Sequence, residues 1–126
     1  MKTKYIVYGV LALVLISFIY IGYNNSKKAN QYDNFAKCLT EKGVKMYGAY
    51  WCPHCADQKR LFGNSFQYVI YVECAIPGDN SKQTPICEQN KIQGYPTWEI
   101  NGEKSSGVKD IETLSSLSGC ALWIKT

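Results

Sequence analysis

The chain is expected to form a small α/β domain, a mixed sheet with helices on both faces, behind one N-terminal transmembrane helix. Three features of the 126 residues lead there. A nineteen-residue run without charge, Tyr5 to Tyr23, opens the chain. Helical and strand-like apolar patterns then alternate in order. Near the end, Asn101-Gly102 lies between two short β-type runs, a strong hairpin signal.

At about 1.5 Å per residue, a nineteen-residue helix comes close to the roughly 30 Å hydrocarbon core of a bilayer. Tyr5 and Tyr8 at one end, and Tyr20 and Tyr23 at the other, sit where interfacial aromatic belts sit. Met1-Lys-Thr-Lys would also serve as the n-region of a signal peptide. The apolar run is long for that purpose, and Gly22-Tyr-Asn-Asn-Ser-Lys-Lys offers no A-x-A-like cleavage site, so an uncleaved single-pass anchor is expected. Residues 1–30 are read as anchor and tether, residues 31–126 as the domain. Lys2, Lys4 and the α-amino group face Lys27 and Lys28 across the span, which tilts the N-terminus only slightly toward the cytoplasm.

Charge excludes one class of function. Residues 1–30 hold four lysines and no acid, whereas residues 31–126 hold ten basic and ten acidic residues. A domain without surplus positive charge has no basic face with which to release counterions, so nucleic-acid binding is not expected.

Within the domain, Tyr32 to Lys42 has Phe35, Ala36 and Leu39 at helical spacing, with Gly43 as a stop. Val44 to Tyr50 reads as a strand. Pro53 suits a first helical position, Lys59 and Arg60 complement that helix's C-terminal end, and Gly63 closes it. Tyr68-Val-Ile-Tyr-Val72 is nearly all apolar and is expected to be a central strand. Ile76 to Gln83 reads as a loop. Thr84-Pro85 opens a helix to about Lys91. Thr97–Ile100 and Glu103–Ser106 form the hairpin, and Asp110 caps a last helix with Ile111, Leu114 and Leu117 on one face.

The chemistry concentrates in Trp51-Cys-Pro-His-Cys55, at a strand-to-helix junction. Cys52 just before the first turn would face unpaired N–H groups and the positive end of the helix dipole, both of which favour a thiolate. Pro53 shapes that turn, and a protonated His54 would add positive charge nearby. Cys55, one turn in and on the buried side, is placed to attack a mixed disulfide formed at Cys52. The pair is thus expected to be the redox carrier itself, with no bound cofactor.

Metal readings fare worse. Zinc would need a second closely spaced pair, but twelve residues separate Cys74 from Cys87 and His54 is the single histidine. Haem attachment needs a histidine where Ala56 stands. Copper transfer, as a tethered binding module, would call for a further soft ligand that no methionine beside the motif supplies. Tyr95-Pro96-Thr97 is the second functional signal. A cis bond before Pro96 at a strand head abutting Cys52 would offer the Tyr95 backbone to a bound peptide.

WCPHC after a β-run, the element order and Gly94-Tyr-Pro-Thr-Trp98 resemble the thioredoxin superfamily over residues 31–120. More narrowly, Lys45 to Cys55, Asp57-Gln58, Ile92 to Gly102 and Ser106-Gly107 resemble the thioredoxin-like domain that is fused to, or partners, the quinone-reducing vitamin K epoxide reductase (VKOR) homologues of bacteria and plastids. The resemblance implies a nucleophile at Cys52, a resolving thiol at Cys55 and a cis-proline at Pro96; Trp51, Tyr95 and Pro96 are the expected substrate contacts. It implies oxidation of thiols in exported proteins, with reoxidation by a VKOR-type membrane partner supplied by another polypeptide. The alternative is a disulfide reductase or isomerase on the same side of the membrane.

Many thioredoxins place a buried acid six residues before the first cysteine. Met46 stands there, which weakens the general-base help expected for Cys55 and suits an oxidant. Six cysteines in the domain point to an oxidising compartment, periplasm or thylakoid lumen. A Cys74–Cys87 bridge would close the intervening loop and contribute about 3 kcal/mol. The fused relatives carry a similar pair, which favours a structural bridge over a second relay pair. Cys38 and Cys120 are open to pairing, to remaining free or to engaging a partner chain.

Overall fold

A computed structural model describes residues 1–122, so residues 123–126 of the expected domain lie outside the described residues. The first helix is α1 (Lys2–Ala29); its stretch Lys2–Asn25 is exposed and is long and apolar enough to cross a membrane. Asn24 to Asn30, expected as a polar tether, continues this helix as far as Ala29.

The domain follows as α2 (Asp33–Glu41), β1 (Lys45–Gly48), α3 (Pro53–Phe62), a 3₁₀ turn (Gly63–Tyr68), β2 (Ile70–Glu73), β3 (Ala75–Ile76), β4 (Asp79–Gln83), α4 (Pro85–Gln89), β5 (Thr97–Ile100), β6 (Glu103–Ser106) and α5 (Ile111–Ser118). Four strands make the main sheet in the order β2-β1-β5-β6. β1 runs parallel to β2, pairing Gly48 with Glu73, and antiparallel to β5, pairing Met46 with Trp98. Asn101 and Gly102, both with positive φ, turn the β5–β6 hairpin as expected.

Successive strand residues face opposite sides of a sheet. Met46 accordingly enters a core with Phe35, Leu39, Phe62, Trp98 and Leu114, where Phe62 stacks between Phe35 and Trp98 at 6.0 and 6.1 Å. Its neighbour Tyr47 enters a smaller core with Cys74, Cys87 and Ile92. Helices therefore cover both faces, and the thioredoxin-like arrangement expected for the domain is the one observed.

Three local expectations are corrected. The second strand is an edge strand, half-buried throughout, and starts at Ile70 because Tyr68 belongs to the 3₁₀ turn, where its carbonyl accepts from Thr40. β1 and β5 take the inner positions instead. The expected loop of residues 76–83 contains a small hairpin, β3 with β4, turning at Gly78 with φ 83°. Leu117 is exposed; the buried stripe of α5 is Ile111, Leu114 and Ser118, whose hydroxyl donates to the Leu114 carbonyl at 2.6 Å.

Two disulfides tie the domain. Cys38 of α2 is bonded to Cys120 beyond α5 (S–S 2.07 Å), which settles the pairing left open by the sequence. Cys74 is bonded to Cys87 in α4 (1.98 Å).

Candidate active site

β1 ends at Gly48, and the turn Ala49-Tyr50-Trp51 delivers Cys52 to the start of α3, with the Cys52 N–H donating to the Ala49 carbonyl at 3.0 Å. Cys52 is the N-cap of that helix, in an extended conformation (φ −80°, ψ 118°), and Pro53 is the first helical residue. A capping position satisfies one of the helix's orphan N–H groups through its side chain. Here the acceptor is sulfur: the Cys55 N–H donates to Cys52 Sγ at 3.4 Å. Cys52 and Cys55 are the two free cysteines, 6% and 1% exposed.

On its other side the Cys52 thiol donates to the Tyr95 carbonyl at 3.7 Å. The Tyr95–Pro96 peptide is cis. Pro96 itself is fully buried and its carbonyl is occupied by the Gly107 N–H at 2.8 Å, so the chain presented beside Cys52 is Tyr95. The Trp51 and Tyr95 rings meet edge to face at 6.0 Å, and Trp51 is 44% exposed. His54 points outward, with Nδ1 4.0 Å from Asp57 Oδ2, and Asp57 is also engaged by Arg60.

Burial, partly opposed by the Ala49 backbone, pushes the Cys55 thiol up to about 12. Two features explain its surroundings. Gln58, one turn on and completely buried, accepts from Trp98 Nε1 (3.1 Å) and from the Lys109 N–H (2.7 Å) and donates to the Lys109 carbonyl (2.9 Å), fixing α3 to β5 and to the approach to α5. Gly48 is the second. A β-carbon there would lie 3.0 Å from Cys55 Sγ, 3.0 Å from Tyr71 Oη and 2.8 Å from Tyr71 Cε2.

Tyr71 and Glu73 were not singled out from the sequence. The Tyr71 hydroxyl donates to Glu73 Oε2 at 3.0 Å, while Glu73 Oε1 accepts the N–H groups of Tyr50 (3.1 Å) and Ala75 (2.9 Å). The available signal was an acid directly ending an apolar strand. Among the described residues no three His, Cys, Asp or Glu side chains cluster as metal ligands would.

No protein-family model matches the chain. It is similar to the thiol-disulfide oxidoreductase LTO1 of Arabidopsis thaliana, 42% identical over 91 residues that make up 69% of this chain and 24% of that protein. The chain thus spans about a quarter of that relative's length. Among solved structures it is similar to the thioredoxin-like protein BC3987, at 25% identity over 64% of this chain and 99% of that one, with a TM-score of 0.42.

Proposed function

We propose that the chain is a membrane-anchored thiol–disulfide oxidoreductase that oxidises the thiols of exported proteins through Cys52 and Cys55. The observation that carries the reading is the pair of free cysteines at the start of α3, with the Cys55 N–H on the Cys52 sulfur. The similarity to a named thiol-disulfide oxidoreductase over 91 residues supports it.

In the oxidising direction a substrate thiolate attacks Cys52 Sγ of the Cys52–Cys55 disulfide. The S–S bond breaks, and Cys55 leaves with the electron pair and takes up a proton. A second substrate thiolate then attacks its neighbour's sulfur in the mixed disulfide, forming the substrate disulfide and expelling Cys52. The dithiol now holds two electrons and returns them by exchange with a disulfide of the redox partner. No bound cofactor enters this scheme, because the cysteine pair carries the electrons.

Trp51, half-exposed beside the sulfur, and the Tyr95 backbone held by Pro96 are the substrate-facing groups of the reading. Pro53 fixes the first turn, and His54, when protonated, contributes positive charge at its rim. The motif resemblance supports a VKOR-type quinone-linked membrane protein as the reoxidising partner. Two bonded disulfides in the domain support its placement in an oxidising extracytoplasmic space, periplasm or thylakoid lumen, with residues 1–30 as anchor and residues 31–126 as the exposed domain.

The reduction potential tests the direction. Equilibration with glutathione redox buffers is expected to give a value well above thioredoxin's, which is about −270 mV. A value at or below that figure would overturn the oxidising assignment and favour a reductase.

A further inference from the structure

We propose that Tyr71 and Glu73 form a proton relay for Cys55, carrying its proton through the Tyr71 hydroxyl to the Glu73 carboxylate when Cys55 resolves a mixed disulfide. The inference rests on the exchange reading above and supplies a step that reading leaves without a base.

Resolution needs the Cys55 thiolate, since the thiolate is the attacking species. Burial holds the Cys55 thiol above the ordinary cysteine range, so the thiolate is scarce near neutral pH without help. Met46, buried at the position where many thioredoxins have an acid, cannot accept a proton. The neighbouring strand offers a substitute. Cys55 Sγ and Tyr71 Oη each lie 3.0 Å from the position of a Gly48 β-carbon, so the glycine leaves one small space that both atoms flank. Strand register sets Glu73 opposite Gly48. Its Oε1 is fixed by two backbone N–H groups, which aims Oε2 at the Tyr71 hydroxyl.

Tyr71 is suited to pass a proton rather than to store its loss. Burial first, and then the Glu73 carboxylate, hold its phenol well above the ordinary tyrosine range, so it stays neutral. The other titratable groups facing this space are Lys59 on α3, whose Nζ sits 3.9 Å from the Tyr71 ring centroid, Cys52 and Tyr95.

The step balances as follows. Cys55 Sγ gives its proton to Tyr71 Oη as Tyr71 gives its own to Glu73. The Cys55 thiolate attacks Cys52 Sγ and forms the Cys52–Cys55 bond. The bond from Cys52 to the visiting sulfur breaks, and that sulfur departs as thiolate with the electron pair. Glu73, half-buried, returns the proton to water.

The full chain in detergent, with Cys52 and Cys55 reduced and both structural disulfides intact, is mixed with excess nitrophenyl disulfide, whose released thiol is coloured. Capture at Cys52 releases the first equivalent and resolution by Cys55 the second. Tyr71→Phe and Glu73→Gln are each expected to keep the first phase and to slow the second about 100-fold at pH 7. In both, the second phase should then climb about tenfold per pH unit toward pH 10, as hydroxide takes over. A second phase unchanged in both variants, or both phases slowed alike, would overturn the relay. Glutamine keeps an acceptor for the Tyr50 and Ala75 N–H groups, so Glu73→Gln decides the matter if Tyr71→Phe fails to fold. A wild-type chain that shows no first phase would instead undo the exchange reading.

Discussion

The Cys52 sulfur lies 3.7 Å from the Tyr95 carbonyl oxygen, joining the start of α3 to the segment that leads into β5. The two sites that the sequence marks forty-odd residues apart are therefore one place. The consequence for reactivity is an order of labelling. With Cys55 pushed up to about 12 and 1% exposed, iodoacetamide at pH 7–8 is expected to modify Cys52 and to spare Cys55 until the pH approaches about 10. Peptide mapping after a short exposure reads this, and equal labelling of both sulfurs would contradict it.

Gln58 carries the second prediction. Replacing it by leucine orphans the buried Trp98 indole N–H and the half-buried Lys109 N–H. Each buried donor left unsatisfied costs about 1–3 kcal/mol, so Gln58→Leu is expected to lower stability by about 3 kcal/mol in urea unfolding. A change below about 0.5 kcal/mol would mean that those donors find other partners.

Gly48→Ala tests crowding behind Cys55. The added methyl group would stand 2.8 Å from Tyr71 Cε2 and 3.0 Å from Cys55 Sγ. Overpacking of this kind costs about 1–3 kcal/mol. The same variant should shift the Tyr71 ring, seen as a changed tyrosine signal in near-ultraviolet circular dichroism, while leaving the β1–β2 pairing intact.

The two structural bridges should differ in worth. Cys38–Cys120 closes a loop with sequence separation 82 and Cys74–Cys87 one with separation 13. Loop-closure entropy assigns them about 4.5 and about 3 kcal/mol. Replacing both members of each pair by alanine, and comparing urea midpoints, is expected to show the larger loss for the longer loop.

Acid stability depends on Glu99. The Tyr47 hydroxyl at 2.8 Å holds its carboxyl below the ordinary glutamate range, with Lys45 and Lys104 adding to the effect. A carboxyl lowered by folding stabilises the native state above its unfolded value, about pH 4.3, and that stability is lost as the pH falls through the folded value. Tyr47→Phe should flatten this acid limb of the stability profile and leave the slope above pH 6 unchanged.

The Cys52/Cys55 pair was legible in the sequence because a CxxC that follows a strand and carries Pro53 in its first helical position admits few geometries. The hairpin at Asn101-Gly102 and the caps at Cys52 and Asp110 were equally local. What escaped was set by partners distant in sequence. Tyr68 left the second strand because the 3₁₀ turn claimed it, and the strand's apolar run suited an edge as well as a centre. Leu117 lost its place to Ser118, whose hydroxyl is satisfied within the helix. Tyr71 and Glu73 read as strand residues, and only the register with Gly48 sets them behind Cys55.

The central claim, that Cys52 captures and Cys55 resolves, is tested most directly by trapping. Cys55→Ser, incubated with a disulfide-bearing peptide, is expected to accumulate a stable mixed disulfide that mass spectrometry assigns to Cys52, whereas Cys52→Ser accumulates none. A trapped peptide on Cys55, or equal trapping by both variants, would contradict it.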